Sequence, residues 1–107
     1  MIIYNVTINV DQSIHDEWLI WINEHIPKVL ATGKFSEAKL TKVLVNEELG
    51  GTTYSVQYRA KSREDLDNYY KLDADKLRNE GLAKFADKML AFRTELEIVD
   101  EYSVTFK

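Results

Sequence analysis

The chain contains no cysteine, one proline and four glycines, and its cations are too scattered to form a basic block. Without cysteine there can be no disulfide framework, thiolate zinc site, iron–sulfur ligation or cysteine nucleophile, so any chemistry falls to histidine, carboxylate or hydroxyl groups. The lack of a Lys/Arg run argues against a surface that tracks phosphates, and no nucleic-acid partner is expected. No apolar stretch approaches the roughly 18 residues of a membrane span, and no signal-peptide order of charged, apolar and small residues is visible. The reading is therefore a cytoplasmic protein with no membrane partner. What is present is an ordinary globular balance: 107 residues, 45% hydrophobic, 30% charged, and 14 Lys+Arg against 18 Asp+Glu for a net charge of −4. That is enough chain for one domain, residues 1–107, to bury its own core.

Residues Ile2 to Val10 alternate, with Ile2, Tyr4, Val6, Ile8 and Val10 apolar and Asn5, Thr7 and Asn9 opposite, the pattern of a strand with one wet face. The Asn5-Val6-Thr7 triplet matches a glycosylation acceptor but sits within that strand and is read as chance. Ser13 followed by Asp16 reads as a capping-box variant ahead of Ile14, Trp18, Trp21, Ile22, His25, Ile26 and Val29, a helical stripe that Pro27 should bend or close. Thr32-Gly33 supplies a left-handed exit. Lys39 to Val45 reads as a second strand with a bulge near Lys42 to Val45, and Leu49-Gly50-Gly51 as the turn into a third, Thr52 to Ala60.

Ser62 with Asp65 opens a second helix bearing Leu66, Tyr69, Tyr70 and Leu77. Asn79-Glu80-Gly81 is expected to interrupt it before a further helical piece with Leu82, Phe85 and Ala86. Met89 to Val99 then reads as a fourth strand, with Leu90, Phe92 and Leu96 turned toward the core and Ala91, Arg93 and Glu95 away from it. Tyr102, Val104 and Phe106 suggest a short extra C-terminal strand, which could pair with a partner's sheet edge in a protein-interaction module.

The order βαββαβ predicts an α+β, ferredoxin-like antiparallel sheet with its helices on one face. The other face meets either solvent or the equivalent sheet of a second copy, and a homodimeric α+β barrel is the favoured reading. The segments His25-Ile26-Pro27, Thr32-Gly33-Lys34-Phe35, Gln57-Tyr58 and Phe85 through Asp87-Lys88 to Phe92-Arg93-Thr94-Glu95-Leu96-Glu97 resemble a small bacterial family known as a domain of unknown function. The resemblance runs from Met1 to about Val99 and implies the dimeric α+β barrel fold, with no assigned activity. Other dimeric barrels, among them cofactor-free oxygenases, haem-degrading enzymes and isomerases, hold a cavity between sheet and helices that uses asparagine, tryptophan and histidine or arginine. By type, Asn5, Trp18, Trp21, His25 and Arg93 are present here.

His25 lies on the apolar stripe of the first helix, where it is expected to be a core histidine donating to a backbone or tyrosine oxygen, or else an acid/base group. Strand phase sets Arg93 on the opposite sheet face from His25. Asn5, Thr7, Ser55, Gln57, Arg59, Arg93 and Glu95 then form one polar row, from which Asn5, Thr7, Gln57, Arg59 and Arg93 are the expected contacts to a small-molecule ligand, an anion at either arginine. The alternative is an internal network in which Arg59 and Arg93 pair with Glu95 or Glu97. The aromatic residues sit at core spacing. His15-Asp16-Glu17 and Asp73-Ala74-Asp75 lack metal-site spacing, and no glycine-rich phosphate loop is present, so no metal or cofactor is expected. The functional expectation is a small-molecule-binding homodimer without an assignable reaction. The alternative enzyme, a cofactor-free oxygenase or isomerase, would use His25 as acid/base and Arg93 to stabilise an enolate.

Overall fold

A computed structural model describes residues 1–48 and 50–105. Strand β1 (Ile2–Val10) leads through a short 3-10 turn, Gln12–Ile14, into helix α1 (His15–Leu30). Strands β2 (Phe35–Lys42) and β3 (Thr52–Ala60) follow, then helices α2 (Arg63–Leu72) and α3 (Ala74–Phe85), and finally strand β4 (Met89–Glu97). The four strands form one antiparallel sheet in the order β2-β3-β1-β4, the ferredoxin-like arrangement predicted from the element order.

The core follows from strand parity. Tyr4, Val6, Ile8 and Val10 from β1 and Tyr54, Val56, Tyr58 and Ala60 from β3 are buried on one sheet face. They pack in one cluster with Trp18, Ile22 and Val29 of α1, Leu66 and Tyr69 of α2, and Ala74, Leu77 and Phe85 of α3. The opposite face carries Ile3, Asn5, Thr7 and Asn9 beside Arg59, Gln57, Ser55 and Thr53, their cross-strand partners.

Several local expectations are corrected. The Asp11 carboxylate, not Ser13, caps the chain's entry toward α1, accepting from the Ser13 backbone N–H at 2.9 Å. Pro27 lies within α1, which continues to Leu30. Strand β2 starts at Phe35 and ends at Lys42, and its irregularity falls between Phe35 and Glu37 rather than near Val45. In the turn before β3, Gly50 and Gly51 have φ of 84° and 79°, while Leu49 lies outside the described residues. At Gly51 a Cβ would also sit 2.6 Å from the Val10 carbonyl oxygen, so only glycine lets the turn close against β1.

The second helical region breaks at Asp73, not at Asn79-Glu80-Gly81. Gly81 is buried inside α3, and a Cβ there would lie 2.8 Å from the Trp21 ring, so its cause is close helix packing rather than a turn. Among the described residues none beyond Glu97 is in a strand, which removes the extra C-terminal strand through residue 105; Phe106 lies outside the described residues. That segment is tied back by the Ile98 N–H donating to the Met1 carbonyl at 3.0 Å and by Arg59 pairing with Glu101 at 2.5 Å. No helix among the described residues is long and apolar enough to cross a membrane.

Candidate functional site

The decisive correction concerns β4. Its register sets Ala91 opposite Ile8, Arg93 opposite Val6 and Glu95 opposite Tyr4. Cross-strand partners share a face, so Arg93 points to the helix side, with His25, and not to the open face with Asn5, Thr7, Gln57 and Arg59. Leu90, Phe92 and Leu96 are correspondingly on the open face, 56%, 68% and 43% exposed.

The expected polar row therefore divides. On the open face Asn5 donates to the Thr7 hydroxyl at 3.2 Å and accepts from the Ser55 hydroxyl at 2.6 Å, which closes a small network. Arg59 pairs with Glu101 and, at 3.8 Å, with Glu37 rather than with Glu95 or Glu97. Gln57 and Arg59 border a shallow depression with Ile3, Glu37 and Lys39. These four open-face candidates largely satisfy one another or lie along the surface.

On the helix side a cavity of about 50 Å³ opens between sheet and helices. Strands β1 and β3 supply Tyr4, Val6, Ile8, Val56 and Tyr58; α1 supplies Trp21, Ile22 and His25; Arg78 and Arg93 come from α3 and β4. The Tyr4 hydroxyl accepts from Arg78 Nη2 at 2.9 Å and from Arg93 Nε at 3.0 Å. Neither guanidinium has a carboxylate within 4.0 Å among the described residues. Arg78 lies over the Tyr70 ring, 5.9 Å from its centroid, and its Nε is buried without a hydrogen-bond partner among the described residues.

Glu95, two residues along β4 from Arg93, is held elsewhere. Arg63 at the start of α2 grips it in bidentate fashion at 2.7 and 3.0 Å, and the Tyr70 hydroxyl donates to it at 2.5 Å. The Arg63 and Tyr70 hydrogen bonds lower the Glu95 pKa to about 2.

His25 does not behave as the satisfied core histidine expected from its position. Its Nδ1 is buried without a hydrogen-bond partner among the described residues. The imidazole is held instead by Trp21, stacked at 4.4 Å and 22°, with Phe85 edge-on to the Trp21 ring at 5.7 Å. Burial lowers the His25 pKa to about 4, against the opposing pull of Glu80 and with smaller lowering contributions from Lys28 and Arg93, so the ring is neutral at pH 7.

Two site residues were not expected as such: Tyr4, placed by the sequence only on the apolar face of the first strand, and Arg78. Arg78 shares a helical stripe with Ala74, Leu77, Gly81 and Phe85, and that i, i+3, i+4 spacing was the available signal. Of the other aromatic candidates, Trp18 is fully buried and donates to Met89 Sδ at 3.2 Å, so its indole serves packing. His15 shares a 2.6 Å hydrogen bond with the Tyr54 hydroxyl, and no cluster of three or more metal-ligating side chains occurs among the described residues.

Residues 1–99 match the sequence profile of the domain of unknown function DUF4286. The chain belongs to that family. No curated protein matches it in sequence. Among solved structures, the DUF4286 chain is similar to a dimeric ferredoxin-like protein from an uncultured marine organism, with 12% identity and a TM-score of 0.70 over 94% of this chain and 97% of that one. It is also similar to an EthD family protein from Bacillus halodurans, with 20% identity, a TM-score of 0.62 and coverage of 91% of this chain and 98% of that one. A candidate antibiotic biosynthesis monooxygenase from Deinococcus radiodurans shares 10% identity and a TM-score of 0.62 over 99% of this chain and 100% of that one. At these identities the likeness establishes the ferredoxin-like α+β fold alone.

Proposed function

We propose that this DUF4286 protein is a homodimer of the α+β barrel type that binds a small organic anion in the cavity between sheet and helices. The observation that carries the reading is the pair of guanidinium groups, Arg78 and Arg93, brought together on the Tyr4 hydroxyl beside an apolar cavity with no carboxylate to balance them among the described residues. Two cations at one edge of a low-dielectric pocket favour an incoming carboxylate or enolate. Dimerisation is supported by the apolar stripe of Leu90, Phe92 and Leu96, exposed on the open face beside Ile3, and by the dimeric state named for the marine ferredoxin-like protein.

Native mass spectrometry with added benzoate tests both halves at once. The expected result is a dimer that carries benzoate, with occupancy reduced about tenfold in Arg93→Gln. A monomer overturns the dimeric reading, and equal occupancy in wild type and Arg93→Gln overturns the anion site.

The clamp on Glu95 bears on the same site. Arg63→Met should release the Glu95 carboxylate toward Arg93 and weaken benzoate binding about tenfold, as measured by isothermal titration calorimetry. Adding Glu95→Gln should restore most of the loss, since the freed side chain would then carry no charge. A double variant as weak as Arg63→Met would show that Arg63 acts only through local structure.

A second reading, an enzyme of the oxygenase or isomerase kind, is favoured by the presence of His25 and Arg93 on one cavity rather than on opposite faces. A neutral His25 can accept a proton, and Arg93 can stabilise the enolate that results.

A further inference from the structure

The open face of the sheet is divided in chemistry and differs in shape at its two ends. Cross-strand pairing sets it out in rows, with Glu37, Arg59, Ile3 and Leu96 at one end and Thr53, Asn9 and Leu90 at the other. The charged members lie toward the β2 edge and the apolar ones along the β4 edge.

At the Leu96 end the chain leaves β4 and turns beneath this face, where Glu101 pairs with Arg59 of β3. Tyr102 follows directly and is 90% exposed, and Val99 and Val104 are exposed as well. At the Leu90 end there is instead a depression of about 560 Å³, bordered by Thr53, Asn46, Leu90 and Phe92. An apolar protrusion and an open depression thus stand at opposite ends of one face.

A second copy of the chain fits both. A two-fold axis running across the strands lays β4 over the partner's β4 in antiparallel fashion. It sets Leu96 against the partner's Leu90 and Tyr102 over the partner's depression, and each contact occurs twice. A two-fold axis along the strands would lay β4 over the partner's β2 instead. Leu96 would then strip water from the partner's Glu37, and the two protrusions would meet each other. The side chains of Leu90, Phe92, Leu96, Val99, Tyr102 and Val104 expose on the order of 700 Å², close to the roughly 800 Å² that each partner gives to a stable interface.

Resting on the dimeric reading above, we infer that the two copies stack antiparallel, β4 over β4, and that residues 99–104 of each, led by Tyr102, dock in the depression of the other. Glu101, held by Arg59, fixes the root of the docking segment.

The chain has no cysteine, so single introduced thiols have no competitors. Full-length Leu90→Cys and Tyr102→Cys proteins, mixed, allowed to exchange subunits and treated with a short bismaleimide, should form a covalent dimer, and Tyr102→Cys alone should form at least tenfold less. Tyr102→Ser, at an exposed position, should raise the dimer dissociation constant about tenfold or more in analytical ultracentrifugation while the circular dichroism spectrum stays the same. No cross-link in the mixture, equal cross-linking of Tyr102→Cys to itself, or an unchanged dissociation constant in Tyr102→Ser overturns the docking and leaves the dimer standing. A wild-type chain that sediments as a monomer overturns the dimer, and the docking with it.

Discussion

Trp18→Ala should destabilise the protein by about 3–5 kcal/mol, the range for removing a large aromatic side chain from a packed core. Trp18 is fully buried, its ring centroid lies 4.9 Å from that of Tyr54, and its indole N–H reaches Met89 Sδ at the start of β4. One side chain thus ties α1 to the strands on either side of β1. With a domain of this size stable by only about 5–15 kcal/mol, the loss should lower the thermal midpoint by at least roughly 12 °C, readable by circular dichroism. Ile20→Ala, on the same helix but 65% exposed, should change stability by less than about 0.5 kcal/mol. Equal effects of the two substitutions would contradict the orientation of α1.

Acid should weaken the fold through His25 before it does so through Glu95. His25 has a folded pKa near 4 against an ordinary value of 6.5, so between these values the unfolded chain binds more protons than the native one. Its contribution is fully present above pH 6.5 and is lost as pH falls toward 4. Allowing for solvent screening of a partly exposed ring, that loss amounts to about 2 kcal/mol. Glu95 follows at lower pH: its contribution is present above about 4.5 and declines as pH falls through about 2. Urea denaturation at pH 7, 5.5 and 4 should show a declining midpoint in wild type and a flatter profile in His25→Phe. Identical slopes would remove His25 as the acid-sensitive group.

The two results would also separate structure from site. Trp18 is packed on all sides, whereas the His25 Nδ1 is buried without a hydrogen bond among the described residues, the kind of local cost that folds retain where they bind or react. The site departs from the open-face reading for the same reason. The polar groups of the open face, Asn5, Thr7 and Ser55, bond to one another, while Arg78, Arg93 and His25 retain unused hydrogen-bonding or charge capacity on the helix side.

Strand β1, strand β3, the Ser62 cap of α2 and the ferredoxin-like order were all legible in the sequence, because strict alternation and a capping serine are local signals that need no knowledge of the neighbours. His25 was likewise visible as the one histidine on an apolar helical stripe. The facing of β4 was not. Alternation shows that Leu90, Phe92 and Leu96 oppose Ala91, Arg93 and Glu95, but it cannot say which set meets the helices; hydrophobicity favoured the first set, and pairing with β1 imposed the second. On this edge strand the helix side is where Arg93 meets Tyr4 and Glu95 meets Arg63 and Tyr70, so charged residues belong there and the apolar ones are left on the open face. Gly81 follows the same logic: a helix-breaking residue by local propensity, it stays helical because Trp21 lies where its Cβ would be. The sequence alone determined which residues alternate, cap and cluster along the chain. Only the tertiary structure decided which sheet face Arg93 occupies, and with it that Arg78, Arg93, Tyr4 and His25 share one cavity, because that depends on register between segments nearly ninety residues apart.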